Sequence, residues 1–205
     1  MLEKVFGNYR KLVNYMGYFK MMYNGNAYEY TGKYYSILEN KRQIYDKLYM
    51  EVLKGEKIDL EAFYCYVKED GIETDFIYID NFLLCLTISI KLKELLEKFN
   101  IGNCRFIPIY LEDSNNLIGY LVNVLNVFDR TCLDLEHSKR GPKIFEEADI
   151  IKPSFNNDII GDLDLFTYKF NGDLTSGIFI SERLKRAIKK AKLTGCGFIY
   201  CESYK

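Results

Sequence analysis

Two stretches of this chain share one pattern of apolar and polar positions. Apolar side chains fall at Leu92, Leu95, Leu96 and Phe99 in the first and at Leu184, Ala187, Ile188 and Ala191 in the second. This i, i+3, i+4, i+7 spacing predicts a helix with one buried stripe and a charged opposite face. Each stripe follows a short apolar run that ends in serine, at Ser89 and at Ser181. A serine hydroxyl there can accept a hydrogen bond from the free amides of the first turn, so both helices are predicted to begin at a serine N-cap. Gly102 and Gly195 stand just past the last periodic residues, where a left-handed C-cap favours glycine. The chain then runs into Cys104-Arg-Phe-Ile and Cys196-Gly-Phe-Ile, which read as strands.

The stretches 88–107 and 180–199 align without a gap, 92 residues apart, and eight of their twenty aligned positions are identical. Shared helix grammar explains matching leucines and lysines, but not the cap, the cysteine and the Phe-Ile of the strand as well. The chain is therefore expected to carry a strand–helix–strand unit twice, over 76–111 and 177–201, packed as related halves around a shared sheet. The expected fold class is α+β, a mixed sheet with packed helices, in a single compact domain over 1–205.

Upstream the pattern changes. Ten of the eighteen tyrosines lie in the first fifty residues, and the stretch from Lys20 to Tyr35 suggests strands broken by turns at Gly25 and Gly32. Leu38, Ile44, Leu48 and Val52 then predict a helix over 37–52, closed by Gly55. Residues 1–75 are expected to form a Tyr-rich, appended or edge subregion beside a core over 76–205. The tyrosines suit either a half-buried sheet or a surface for protein recognition. Segments 113–116, 138–142 and 153–158 are rich in Gly, Pro, Asn, Asp or Ser and are expected to be exposed loops.

A length of 205 residues with 48% hydrophobic content suits a packed globular protein. There is no run of eighteen apolar residues, and the opening MLEKVFGNYRKL lacks an apolar signal core, so a cytoplasmic, membrane-free protein is expected. Six cysteines, at 65, 85, 104, 132, 196 and 201, form no CxxC pair, and several lie in apolar strand-like runs. They are expected to behave as small buried hydrophobes rather than as a disulfide framework.

Net charge is −1, but its distribution is uneven. Between Glu112 and Asp164 eleven acids face five bases, whereas 182–192 holds six bases and one acid. The basic helix could touch phosphates, which keeps a nucleic-acid-binding module as one alternative, although a solvated outer face accounts for it better. A second alternative is a small enzyme that uses carboxylates such as Asp134 with Glu136, or Asp162 with Asp164. The lone histidine, His137, leaves a His-based metal site or triad short of partners, and Gly32-Lys33 lacks the spacing of a phosphate loop. No catalytic, cofactor or metal site is expected, and the chain reads more easily as a binding protein than as an enzyme.

The strand ending at Ser89 with its capped helix, Arg105-Phe-Ile-Pro-Ile, Gly119-Tyr-Leu-Val-Asn-Val and Thr131-Cys-Leu-Asp-Leu-Glu-His-Ser together resemble a family of immunity proteins from bacterial polymorphic toxin systems. Leu165-Phe-Thr-Tyr-Lys, Ile178-Phe-Ile-Ser-Glu-Arg-Leu and Leu193-Thr-Gly-Cys-Gly-Phe look like that family's closing pattern. The resemblance spans about residues 75–200 and implies a cytoplasmic protein that binds and blocks a cognate toxin. It carries over no binding residue. Toxins that cut nucleic acid often present basic clefts, so the acids Glu146, Glu147, Asp149, Asp162 and Asp164 are expected to face the partner.

Overall fold

The computed structural model describes residues 17–23, 33–38, 41–79, 86–140, 150–170, 173–174 and 177–204. In chain order its strands are β1 (Tyr18–Tyr23), β2 (Tyr34–Ile37), β3 (Phe63–Glu69), β4 (Tyr78–Ile79), β5 (Leu86–Ile88), β6 (Cys104–Leu111), β7 (Leu117–Val124) and β8 (Val127–Phe128). They continue as β9 (Lys139–Arg140), β10 (Ile150–Lys152), β11 (Ser154–Asn156), β12 (Leu165–Phe170), β13 (Asp173–Leu174), β14 (Ile178–Ser181) and β15 (Cys196–Tyr204). The helices are α1 (Arg42–Leu53), α2 (Ile90–Leu96), the single turn α3 (Asn157–Ile160) and α4 (Glu182–Lys190). This is an α+β protein built on mixed sheets with a few short helices.

One six-stranded sheet has the order β4-β2-β3-β6-β7-β5. A bridge from Phe76 to Ile88 ties its far strand back toward its first, so this sheet nearly closes. A second, seven-stranded sheet runs β11-β15-β1-β14-β12-β13, with β8 alongside β12. Alternation along the strands sorts side chains into three cores. Ile107, Ile109 and Leu121 point into the first sheet's interior with Tyr45 and Phe63 of the neighbouring elements. Phe155, Phe166, Phe179 and Tyr18 fill the second interior with edge-to-face and stacked rings. Between the sheets, Leu92 and Leu96 of α2 meet Leu184 and Ile188 of α4, and all four are fully buried.

Both predicted serine caps form. Ser89 accepts from the Leu92 amide at 3.1 Å and Ser181 from the Leu184 amide at 3.2 Å. Each capped helix joins two mutually parallel strands with one antiparallel strand between them: β7 between β5 and β6, and β1 between β14 and β15. Gly102 and Gly195 do adopt left-handed φ, at +56° and +79°. Neither caps its helix, however. The left-handed residue that ends α4 is Lys192, with its amide on the Lys189 carbonyl and that of Leu193 on the Ile188 carbonyl. Holding a lysine rather than glycine there costs about 1 kcal/mol. The glycines instead permit close approach: a Cβ on Gly102 would lie 2.6 Å from Asn126 Oδ1, and one on Gly195 2.9 Å from Thr74 Cβ.

Three expectations change. β1 is no edge: it lies between β14 and β15 in the middle of a sheet, and β2 and β3 belong to the other sheet. The helix expected from residue 37 starts at Arg42, because Tyr34–Ile37 pairs with β3; its buried face is Tyr45, Leu48 and Val52, leaving Ile44 exposed. The stretch 153–158 is no exposed loop: Phe155 is fully buried, β11 runs parallel to β15, and Asn156 caps α3. The segment 113–116 is an exposed turn, whereas Ser138 is buried and gives its hydroxyl to the Asp134 carbonyl. The turns expected at Gly25 and Gly32, and residues 141–142, lie outside the described residues.

Candidate interaction surfaces

Of the five acids expected to face a partner, Glu146, Glu147 and Asp149 lie outside the described residues. Asp162 is exposed, and its carboxylate accepts from Asn100 Nδ2 at 3.0 Å. Asp164 corrects the expectation: it is fully buried and cannot present charge to a partner. Its Oδ1 accepts from the Ser181 hydroxyl and from Arg183 Nε at 2.5 Å, while Oδ2 accepts from the Asn100 amide at 2.9 Å. A buried carboxylate needs such donors, since uncompensated charge in a low-dielectric interior is costly. The bond to Asp164 also raises the Arg183 pKa above its ordinary value.

Asp75 makes a parallel set of bonds. Its Oδ1 accepts from the Ser89 hydroxyl at 2.7 Å and its Oδ2 from the Thr194 amide at 2.9 Å. Each aspartate thus holds the cap serine of one helix and an amide just beyond the end of the other: Thr194 follows α4 and Asn100 follows α2. Both act as clasps between the helices. Nothing in the local sequence marks Asp75 for this role, since its partner amide lies 119 residues away.

The remaining polar clusters are also committed locally. Asp134 accepts from the amides of Glu136 and His137, both at 3.1 Å, and its Oδ2 lies 2.6 Å from His137 Nδ1. Partial burial works against ionisation, but these bonds outweigh it and hold its carboxyl below the usual range. It orders a turn. On α4, Arg183 serves Asp164, Arg186 pairs with Glu182, and Lys185 sits 3.3 Å from the Phe19 ring centroid. Three of the six bases over 182–192 are therefore engaged, which weakens the reading of this stretch as a phosphate-binding stripe. Among the described residues no three His, Cys, Asp or Glu side chains gather as a metal ion would require.

A concave surface lies beside the Asp75 clasp. A groove of about 670 Å³ opens between the start of α2, the β6–β7 turn and the chain just past α4. Tyr35 and Ile77 form a buried floor, and Leu117, Ile118 and Ile90 form apolar walls; Ile90 is 41% exposed. Lys33, Glu73, Lys91, Lys192 and the Asp75 clasp surround it. Sequence periodicity gave no hint of it, because its lining comes from five separate parts of the chain.

The polar groups described above thus clasp elements of an α+β protein together, beside a groove with an apolar floor. A profile of the immunity protein family (Imm11) matches residues 65–203. That is more than half of the chain, and the protein belongs to this family. No curated protein matches it. No helix of the described residues is long and apolar enough to cross a membrane.

Proposed function

We propose that this protein binds a cognate bacterial toxin in the cytoplasm and neutralises it by direct contact, without chemistry of its own. Family membership over residues 65–203 carries the reading. It is supported by clasps and caps that use up the internal carboxylates, leaving the exterior for recognition. The toxin belongs to a polymorphic toxin system, and the immunity protein protects the cell that makes it. The acidic stretch acts at long range: Glu146, Glu147 and Asp149, with exposed Asp162, raise the rate of encounter with a basic toxin cleft. The two serine-capped units are related halves of one rigid scaffold, a reading supported by their matching caps, strand order and aspartate clasps.

The test is a titration of the C-terminal domain of the toxin encoded beside this chain's reading frame. Direct neutralisation predicts co-purification in fixed stoichiometry and loss of toxin activity only as the ratio approaches one to one. Full neutralisation by a small fraction of an equivalent points instead to an enzyme acting on the toxin or its product. Failure to bind or protect removes the proposal.

A further inference from the structure

We infer that the chain pairs with a second copy of itself along the open edge of β15, antiparallel about Phe198. The inference concerns assembly and does not depend on the function proposed above. β15 runs from Cys196 to Tyr204, and β1 lies along one side of it from Cys196 to Cys201. On the other side β11 covers only Glu202–Tyr204. Among the described residues no strand pairs with that side over 196–200, so a row of backbone amides and carbonyls faces outward there. Apolar side chains flank this edge on both faces of the sheet. Ile199 is 48% exposed and shares a face with Met22, which is 41% exposed and lies opposite Gly197; Tyr200 is 50% exposed on the other face, with Phe198.

Sheet edges are ordinarily blunted by charge, by proline or by a covering segment. The first strand–helix–strand unit follows that rule. Its position aligned with Gly197 is Arg105, whose guanidinium donates to the Ile58 carbonyl. Cys196-Gly-Phe-Ile-Tyr carries neither charge nor proline. The stretch is also complementary to itself. Laid antiparallel on a copy about Phe198, Gly197 faces Ile199 and Cys196 faces Tyr200, each twice, so every large side chain off the axis meets a small one. No like charges are brought together, because the five residues have none. β11 and the Lys152–Glu202 ion pair, at 3.1 Å, bound the open stretch at one end, so it fits a partner strand of its own length.

Sedimentation equilibrium of the full chain from about 1 to 100 µM tests this. Wild type is expected to approach twice the mass of one chain. Ile199→Lys, which sets two like charges beside the same short strand pair, should stay at the mass of one chain with an unchanged circular dichroism spectrum. Ile44→Lys, at an equally exposed isoleucine of α1, should dimerise like wild type. In a mixture of unlabelled and isotope-labelled chains, a photo-crosslinker at position 199 should join light to heavy peptides at Gly197 and its neighbours, as mass spectrometry reads them. A wild type that stays monomeric throughout, a dimer that Ile199→Lys leaves intact, or adducts elsewhere on the copy overturns the inference. So does a monomer whose crosslinker at 199 is captured by the C-terminal domain of the neighbouring toxin, which assigns the edge to a toxin strand instead.

Discussion

Replacing Asp164 with alanine tests whether this acid is a structural clasp. In the folded protein its carboxylate is fully buried and accepts from Arg183 Nε, Ser181 Oγ and the Asn100 amide. Hydrogen bonds to a charged group contribute about 1.5–3 kcal/mol each. The three losses are not additive, because half-exposed Arg183 and exposed Asn100 regain water. Ser181 is fully buried and does not. The net cost is therefore about 3–5 kcal/mol, the range for breaking a buried pair by removing one partner. Asp162→Ala removes a solvated carboxylate two residues away and should cost under about 0.5 kcal/mol. In urea denaturation, with a slope of about 2 kcal/mol/M, Asp164→Ala should lower the midpoint by about 1.5–2.5 M and Asp162→Ala hardly at all. Equal shifts, or an Asp164→Ala shift below about 0.5 M, would refute the clasp. So would an Asp164→Ala protein of full stability that binds toxin more weakly, since that is the behaviour of a surface contact.

Further outcomes follow from the glycines, a buried tyrosine and the cysteines. Gly102→Ala should cost about 2–4 kcal/mol in the same assay, since it adds left-handed strain to a Cβ 2.6 Å from Asn126 Oδ1. Gly161→Ala, at φ +69° with open space around it, should cost only about 1 kcal/mol. Desolvation, with the nearby charge of Asp164, pushes the buried Tyr18 phenol up to about 12 from its ordinary 10.0. A raised folded pKa means that the Tyr18 contribution is intact below pH 10 and is lost as pH climbs through about 12, so phenolate absorbance at 295 nm and unfolding by circular dichroism should rise together in that window. Burial pushes the thiols of Cys65, Cys104, Cys132 and Cys196 up to about 12 and that of Cys201 to about 11. At pH 8 the buried thiols of Cys65 and Cys132 should react with a disulfide reagent on the order of 10³ times more slowly than in urea and that of Cys201 about 10² times, and fast labelling of these three in the native protein would contradict their burial.

What could be read from the sequence was what is local. A serine cap is decided within four residues and an amphipathic stripe within two turns, so Ser89, Ser181 and the faces of α2 and α4 were legible. The position of β1 was not, because it depends on pairing with strands some 160 to 180 residues later in the chain. Pro153-Ser-Phe-Asn-Asn-Asp has the composition of an exposed turn, but Phe155 completes an aromatic core assembled from four other strands and pulls the segment inside. Asp164 sits in Gly-Asp-Leu-Asp-Leu, where alternation gives no reason to separate it from Asp162. The difference is made by Arg183 and Asn100, brought in from elsewhere. The groove was illegible for the same reason.

The two clasps also set how the paired helices can move. Asp75 joins the start of α2 to the chain beyond α4, and Asp164 joins the start of α4 to the chain beyond α2. Neither helix can shift along the other without breaking a charge-assisted bond at both ends. Ser89 and Thr194, which are tied by the first clasp, are themselves groove residues, and Lys91 and Lys192 flank them in sequence. The part of the groove wall that these residues supply is therefore mounted on backbone fixed at both ends of the clasp.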